Sequence, residues 1–151
     1  MKTQSNREVI FIDANVADKQ TLINSVAENV KIIELNSEIN AIEQISVALS
    51  VVKNLDAIHI ISRGKTGELQ FSNGVLNTGN LANYRSQLQK IGAALSQDGD
   101  ILLYGYDVAN GEEGETFIHS FMIAMWQTAK AKRLSIHWQK LPKLMLPCLM
   151  I

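Results

Sequence analysis

The sequence predicts an α/β fold, a mostly parallel sheet of about four strands flanked by helices, with a small hairpin. Two observations predict it: short, continuously apolar segments alternate along the chain with segments whose apolar residues recur at every third or fourth position. Continuously apolar strands are typical of a sheet covered on both faces, and their alternation with helices favours parallel strands joined by right-handed crossovers. We therefore expect a three-layer sandwich.

Four apolar segments are predicted as buried strands, because each is rich in β-branched residues or leucine and ends at a polar residue or glycine. They cover residues 9–12, 32–35, 57–61 and 101–104. The intervals between them are long enough for crossover helices, which parallel strands require.

Apolar residues at helical spacing predict helices over residues 39–52 and 81–95. Two further helices are predicted, a short one from Asp18, a good N-cap residue, to about residue 26, and a last one from Glu115. A hairpin is predicted over residues 68–76, because Asn73 followed by Gly74 is typical of a two-residue hairpin turn.

The chain has 151 residues, which is enough for one globular domain of ordinary size. Its formal net charge of -1 hides an asymmetry: residues 1–125 hold nine basic residues and all 15 acidic ones, whereas residues 126–151 hold five basic residues and no acidic one. This final segment also contains both tryptophans, both prolines and the one cysteine. We predict a folded domain over residues 7–125 and an atypical basic tail over residues 126–151.

Composition and motifs exclude several classes of function. A near-neutral chain has no overall electrostatic footprint for nucleic acid, and it contains no run of about eighteen apolar residues that would predict a transmembrane segment. The first residues lack the apolar core of a secretory signal peptide, and one cysteine cannot form an internal disulfide, which leaves the compartment open. The three histidines have no metal-binding spacing, so we expect neither a metal nor a cofactor.

Ligands of open parallel sheets collect beyond the carboxyl ends of the strands. Three predicted loops lie there, over residues 13–15, 62–67 and 105–107. If the third and fourth strands are neighbours, the residues just past Ile61 and Tyr104 face each other across one cleft. A two-residue catalytic pair could be built at that place.

The residues around these loops resemble an uncharacterised bacterial domain family found near the N-terminus of very large surface or adhesin-like proteins. The segments that carry the resemblance are residues 9–13 (Val-Ile-Phe-Ile-Asp), 56–64 (Asp-Ala-Ile-His-Ile-Ile-Ser-Arg-Gly), 67–69 (Gly-Glu-Leu) and 100–109 (Asp-Ile-Leu-Leu-Tyr-Gly-Tyr-Asp-Val-Ala), with Gly111, Gly114 and Phe117. That family is similar to the caspase, gingipain and separase superfamily of cysteine peptidases. The resemblance implies a caspase-like sandwich and secreted or cell-surface full-length relatives.

In the resembling family, Ser-His-Gly follows the third strand and Tyr-Gly-Cys-Asp ends the fourth. The resemblance implies that the His is the general base or acid, that the Cys is the nucleophile, and that nearby backbone N–H groups form the oxyanion hole. Here Arg63 stands in the place of the His and Tyr106 in that of the Cys. The other positions match: Ser62, Gly64, Gly105 and Asp107.

These two differences remove the thiol and imidazole that the chemistry needs. An arginine side chain cannot accept a proton, and a tyrosine hydroxyl is a poor nucleophile without a base beside it. We therefore expect a non-catalytic, degenerate domain without cysteine peptidase activity. The sequence leaves open whether it is a decayed copy or a retained pseudoenzyme.

Two alternatives stay open beside decay. In the first, the domain binds a peptide or protein segment, with Arg63 beside Gly64 and Lys65 holding a carboxylate at the mouth of the cleft. In the second, it is a hydrolase with Ser62 as nucleophile, which needs a base within about 3 Å that the sequence does not supply. Asp107 is expected either to face the pocket or to cap the turn that follows it.

Two polar side chains outside the Arg63 and Tyr106 positions are expected to have structural roles. We expect Asp13 to cap the turn after the first strand and His59 to be a hydrogen-bonded core histidine.

The tail suggests a hypothesis about translation. The resembling family continues after the last helix with a strand near Gly-Ala-Asp-Ile-Ala-Ala-Ser, whereas residues 125–128 here are Met-Trp-Gln-Thr. Codons spelling TGG-CAG-ACN contain GCA-GAC, which encodes Ala-Asp, in another frame. We therefore predict that the tail is either disordered or translated out of frame.

Overall fold

A computed structural model of the chain describes residues 7–28 and 30–126. Its elements, in chain order, are β1 (Glu8–Ile12), α1 (Lys19–Ser25), β2 (Lys31–Glu34), α2 (Ala41–Leu49), β3 (Leu55–Ile61), β4 (Arg63–Lys65), β5 (Glu68–Phe71), β6 (Gly74–Asn77), a 3-10 helix (Leu81–Tyr84), α3 (Arg85–Ala93), β7 (Leu95–Tyr104) and α4 (Gly111–Trp126). The predicted tail lies outside the described residues, except for Trp126 at the end of α4.

Four strands form a parallel sheet in the order β2-β1-β3-β7, and a separate antiparallel sheet has the order β4-β5-β6. The predicted α/β fold is therefore confirmed, and each of the four predicted strands lies in the parallel sheet. Among the described helices, none is long and apolar enough to cross a membrane.

The last strand is longer than its apolar core. β7 begins at Leu95 rather than at Ile101, and its pairing with β3 shifts register between Leu55 and Ala57. Gly99 lies in this irregular part, where an added Cβ would come within 2.6 Å of the Leu55 carbonyl oxygen. Residues 96–98 are polar, so the apolar pattern that predicts strands does not include this part of β7.

The two faces of the parallel sheet carry unequal layers. The larger core lies between the sheet and α2, α3 and α4, where Ile45, Ile91 and Phe117 are fully buried. The smaller core, around Ile10 and Ile61, is covered by Leu22 of α1. Apolar residues on alternate positions of each strand thus enter different cores, which explains why the strands are continuously apolar.

One helix start differs from the prediction, and another lacks its predicted capping bond. Asp18 directly precedes α1 at the N-cap position, as predicted, but it has a left-handed backbone (φ 53°) and its side chain makes no capping hydrogen bond. α4 starts at Gly111 rather than at Glu115. The prediction is late because it rests on the apolar stripe, which begins only after the first turn of the helix. α2 is capped as expected for a helix start, since the Asn40 side chain accepts a hydrogen bond from the Glu43 N–H (3.1 Å).

The predicted hairpin exists but is part of a larger unit. Phe71 pairs with Gly74, so the turn is Ser72 and Asn73 rather than Asn73 and Gly74. The residues predicted as a loop after β3 form β4, which pairs antiparallel with β5. Gly67 has a positive φ of 71°, which allows the tight turn between β4 and β5.

Candidate functional site

The carboxyl ends of β3 and β7 meet as the sequence predicts. Ile61 lies opposite Tyr104, and the Ser62 N–H donates a hydrogen bond to the Tyr104 carbonyl (3.0 Å). We call the six residues that follow the two strands the strand-end site: Ser62, Arg63, Gly64, Gly105, Tyr106 and Asp107. The parallel topology brings all six to one edge of the sheet.

Val108 packs between the two glycines of this site. A Cβ added at Gly64 would overlap Cγ2 of Val108 and lie 3.0 Å from the Tyr106 carbonyl oxygen, and one added at Gly105 would lie 2.8 Å from the same methyl. The Val108 side chain is only 2% exposed. The loops after β3 and β7 are therefore in direct contact at this point, where the sequence predicts a cleft, and only glycine permits so close an approach.

The side chains that replace the expected pair lie on the surface. Arg63 is exposed and lies opposite Gln70 in the small sheet, and the Tyr106 side chain is 53% exposed. Neither forms part of either apolar core. The strand-end site thus presents a cation and an aromatic ring to solvent.

The two remaining polar residues of the site are held by backbone groups. Ser62 is fully buried, and its hydroxyl donates a hydrogen bond to the Arg63 carbonyl (3.0 Å). Asp107 is exposed with a left-handed backbone (φ 60°), and its carbonyl oxygen, not its carboxylate, accepts a hydrogen bond from the Asn110 N–H. The Ser62 hydroxyl is therefore directed at a backbone carbonyl, and the turn after Asp107 is closed by its main chain.

Asp13 links the parallel sheet to the small sheet. Its fully buried carboxylate accepts one hydrogen bond from the Asn15 N–H and one from the Ser72 N–H, both 3.0 Å long. The first bond confirms the predicted capping role. The second bond joins residues 59 positions apart and could not be inferred from local sequence.

Three polar side chains form a hydrogen-bonded array across β1, β3 and β7. The His59 ring contacts the Tyr104 hydroxyl through Nδ1 (2.9 Å) and the Glu8 carboxylate through Nε2 (2.8 Å). The His59 and Tyr104 rings are stacked at 5.7 Å. His59 is thus a hydrogen-bonded core histidine, as predicted, with a side chain 15% exposed. Burial, together with the Glu8 carboxylate, raises the pKa of Tyr104 to about 12.

A polar cavity of about 650 Å³ lies between the small sheet and the first turns of α4. Glu68 forms part of its wall, and its side chain is only 13% exposed. Burial raises the pKa of this carboxyl, but hydrogen bonds from Asn77 and Gln70 and the charge of Lys65 outweigh it, so the pKa lies below its ordinary value of 4.5. The cavity therefore contains a fixed negative charge.

The sequence gives little indication of this cavity, since its walls come from three separate segments, residues 65–68, 77–79 and 112–116. The predicted absence of a metal centre stays a prediction. Within residues 7–28 and 30–126, no group of three or more histidine, cysteine or acidic side chains is placed to hold a metal ion.

The close contact of Gly64 with Val108 predicts that a side chain added at Gly64 destabilises the fold. Gly64→Ala is expected to lower the free energy of unfolding by about 1–3 kcal/mol, because the new methyl group overpacks against Val108. Chemical denaturation measures the change. Gly74→Ala is the matched control, since nothing lies within 4 Å of its added Cβ, and it should change stability by less than about 0.5 kcal/mol.

A double-mutant cycle identifies the cause. Val108→Ala removes the overlapping methyl, so Gly64→Ala should cost less in that background than in the native chain. Equal costs in both backgrounds would contradict the proposed contact.

Folding raises the pKa of Tyr104 from the ordinary value of 10.0 to about 12, which predicts a specific alkaline effect. The folded chain binds this proton more tightly than the unfolded chain, so the free energy of unfolding should fall as the pH rises from 10.0 towards 12. Ultraviolet absorbance should show one tyrosine that ionises near pH 12, and Tyr104→Phe should remove that step. An unchanged titration curve in the variant would contradict the assignment.

Comparison with known protein families places most of the chain in a family. The chain matches a family described as a domain of unknown function (DUF4347) over residues 9–133. No curated protein and no solved structure matches it. The matched residues include every described strand and helix except the first residue of β1. Because the match extends over most of the chain, this protein belongs to the DUF4347 family.

Proposed function

We propose that this domain is a non-catalytic, caspase-like relative of cysteine peptidases that binds a carboxylate-bearing peptide or protein segment without cleaving it. One observation carries the proposal: Arg63 and Tyr106, which stand where the resembling family has its His and Cys, lie exposed at the ends of neighbouring strands. Gly64, which follows Arg63, lies close to the Tyr106 carbonyl oxygen, so the two positions are near each other along the sheet edge. Their chemistry suits binding rather than catalysis.

Peptide hydrolysis by a covalent route needs a nucleophile and a base within hydrogen-bond reach of each other. The Arg63 side chain cannot accept a proton, so Tyr106 has no base at the position where the family provides one. Ser62 is a poor substitute nucleophile, because its hydroxyl is buried and donates its proton to a carbonyl oxygen. Val108 also occupies the space between the two loops. These features support a loss of catalysis.

The same residues support a binding role. A guanidinium group can donate two parallel hydrogen bonds to a carboxylate, and such charge-assisted bonds are stronger than neutral ones. Tyrosine and arginine are also the residue types that contribute most binding energy at protein interfaces. Tyr106, which follows the neighbouring strand, is 53% exposed and offers an aromatic ring. We therefore expect a peptide carboxylate to bind the Arg63 guanidinium and an adjacent apolar side chain of the peptide to pack on the Tyr106 ring.

The catalytic part of the proposal is tested with the native chain and a restored variant. Peptide libraries and an acyloxymethyl ketone probe should show neither cleavage nor labelling of the native chain. Arg63→His combined with Tyr106→Cys supplies a thiol and an imidazole at the strand ends, and the probe should label this variant. Tyr106→Cys alone is the control, which should react more slowly because it lacks the base. Cleavage by the native chain, or a restored variant no more reactive than the control, would contradict the proposal.

The binding part is tested with a library of peptides that have free carboxyl termini. Arg63→Gln should weaken binding of the selected peptides about tenfold or more, since it removes a hydrogen-bonded charge pair. Arg7→Gln is the matched control, because Arg7 is an exposed arginine outside the strand-end site and should leave binding unchanged. Amidation of the peptide should have the same effect as Arg63→Gln. Peptides that bind equally well to the native chain and to Arg63→Gln would overturn this role.

A further inference from the structure

Two cavities adjoin along one face of α4. The first, of about 650 Å³, lies beside the first turns of the helix, and the second, of about 230 Å³, lies beside its last turns. Thr78 lines both cavities, and the helix residues of both lie on one face of α4, so the two cavities are adjacent along the helix. We call the two together the α4 groove. The helix side of this α4 groove consists of Glu112, Glu113, Thr116, Ser120, Ile123 and Ala124.

The α4 groove has the dimensions of a short extended peptide. Its helix wall runs from Glu112 to Ala124, a distance of about 18 Å at the rise of an α-helix. An extended chain covers that distance in about five or six residues. The spacing of the lining residues by three and four positions places them on one helix face, so the groove follows the helix axis.

The two ends of the groove have opposite charge. Glu68, Glu112 and Glu113 line the first end together with Lys65, which lies 3.6 Å from Glu68, so three acidic groups stand against one basic group there. Arg85 lines the other end and is exposed. A ligand that complements the groove therefore carries a cation at one end and an anion at the other.

The middle of the groove suits a peptide main chain. The Thr78 and Thr116 hydroxyls can donate to carbonyl oxygens and accept from N–H groups. Further along, the Ile123 side chain is 49% exposed and offers an apolar contact next to Leu81. Hydroxyls followed by an apolar patch are consistent with a peptide of mixed side chains rather than with a purely ionic ligand.

We propose that the α4 groove binds an extended peptide segment of about five residues, with a lysine or arginine at the Glu112 and Glu113 end and an acidic residue at the Arg85 end. The strand-end site and the α4 groove share no lining residue. This inference therefore goes beyond the proposed function and does not rest on it.

Selection of a phage-displayed library of random decapeptides on the full chain tests the proposal. Enriched sequences should contain one basic and one acidic residue in a fixed order, separated by about three to five positions to match the length of the groove. Each enriched peptide is then synthesised with a fluorophore, and its dissociation constant is measured by fluorescence anisotropy. Selection that yields no such pairing of charges would overturn the proposal.

Matched variants locate the binding site of the synthesised peptides. Glu113→Gln and Arg85→Gln should each weaken binding about fivefold, the effect of losing one exposed ion pair. Glu115→Gln and Lys90→Gln are the controls, since both residues are exposed on the same two helices but do not line the groove. Equal effects of the lining and control variants would contradict the site.

A charge reversal separates binding from loss of structure. Selection on Glu112→Arg and Glu113→Arg combined with Arg85→Glu, which reverses the formal charge of both ends, should enrich peptides with the opposite order of charges, an outcome that a misfolded chain cannot give. An unchanged order would overturn the proposal. Peptides that depend on Arg63 and not on Glu113 would bind at the strand-end site, which supports the proposed function and contradicts the groove.

Discussion

The contact of Val108 with Gly64 and Gly105 is the constraint on which both candidate surfaces depend. It holds β4 against the end of β7, and Arg63 and Tyr106 on either side of it are exposed. The Gly67 N–H extends the same contact by donating to the Val108 carbonyl (2.9 Å), and Gly67 lies close enough to α4 that an added Cβ would be 3.1 Å from the Glu113 carbonyl oxygen. The small sheet is thereby placed over the first turn of α4, where it forms one wall of the groove.

Asp13 supplies the second attachment of the small sheet, at its far end. A fully buried carboxylate is tolerated when hydrogen bonds replace its lost hydration, and here each oxygen accepts one from a backbone N–H. One donor belongs to the turn after β1 and the other to the turn between β5 and β6. Because the small sheet is attached at both ends, its polar residues keep a fixed position relative to α4, as a preorganised binding surface requires.

Patterns within short segments of the sequence predict the strands of the parallel sheet and the place where two of them end together. The four strands of the parallel sheet are apolar because both faces are buried, and the meeting of Ile61 with Tyr104 follows from their parallel order. β4 has no such pattern, since Arg63 and Lys65 are polar and the strand exists only through its pairing with β5. The hydrogen bond between Asp13 and Ser72 and the walls of the α4 groove each join segments that are far apart in the sequence. Patterns within one short segment therefore cannot predict them.

Under the proposed function, the positions of Arg63 and Tyr106 explain how a fold of this kind can lose catalysis without losing stability. Arg63 and Tyr106 lie outside both cores, and exposed positions of this kind tolerate substitution at a cost of about 0.5 kcal/mol or less. A side chain at Gly64 or Gly105 costs more, because the added Cβ would overpack against Val108. A chain released from selection for cleavage, as we propose, would therefore change first at its two exposed functional positions and keep the glycines. Arg63 and Tyr106 beside Gly64 and Gly105 fit this proposal, in which an intact scaffold remains on which binding can be selected independently of chemistry.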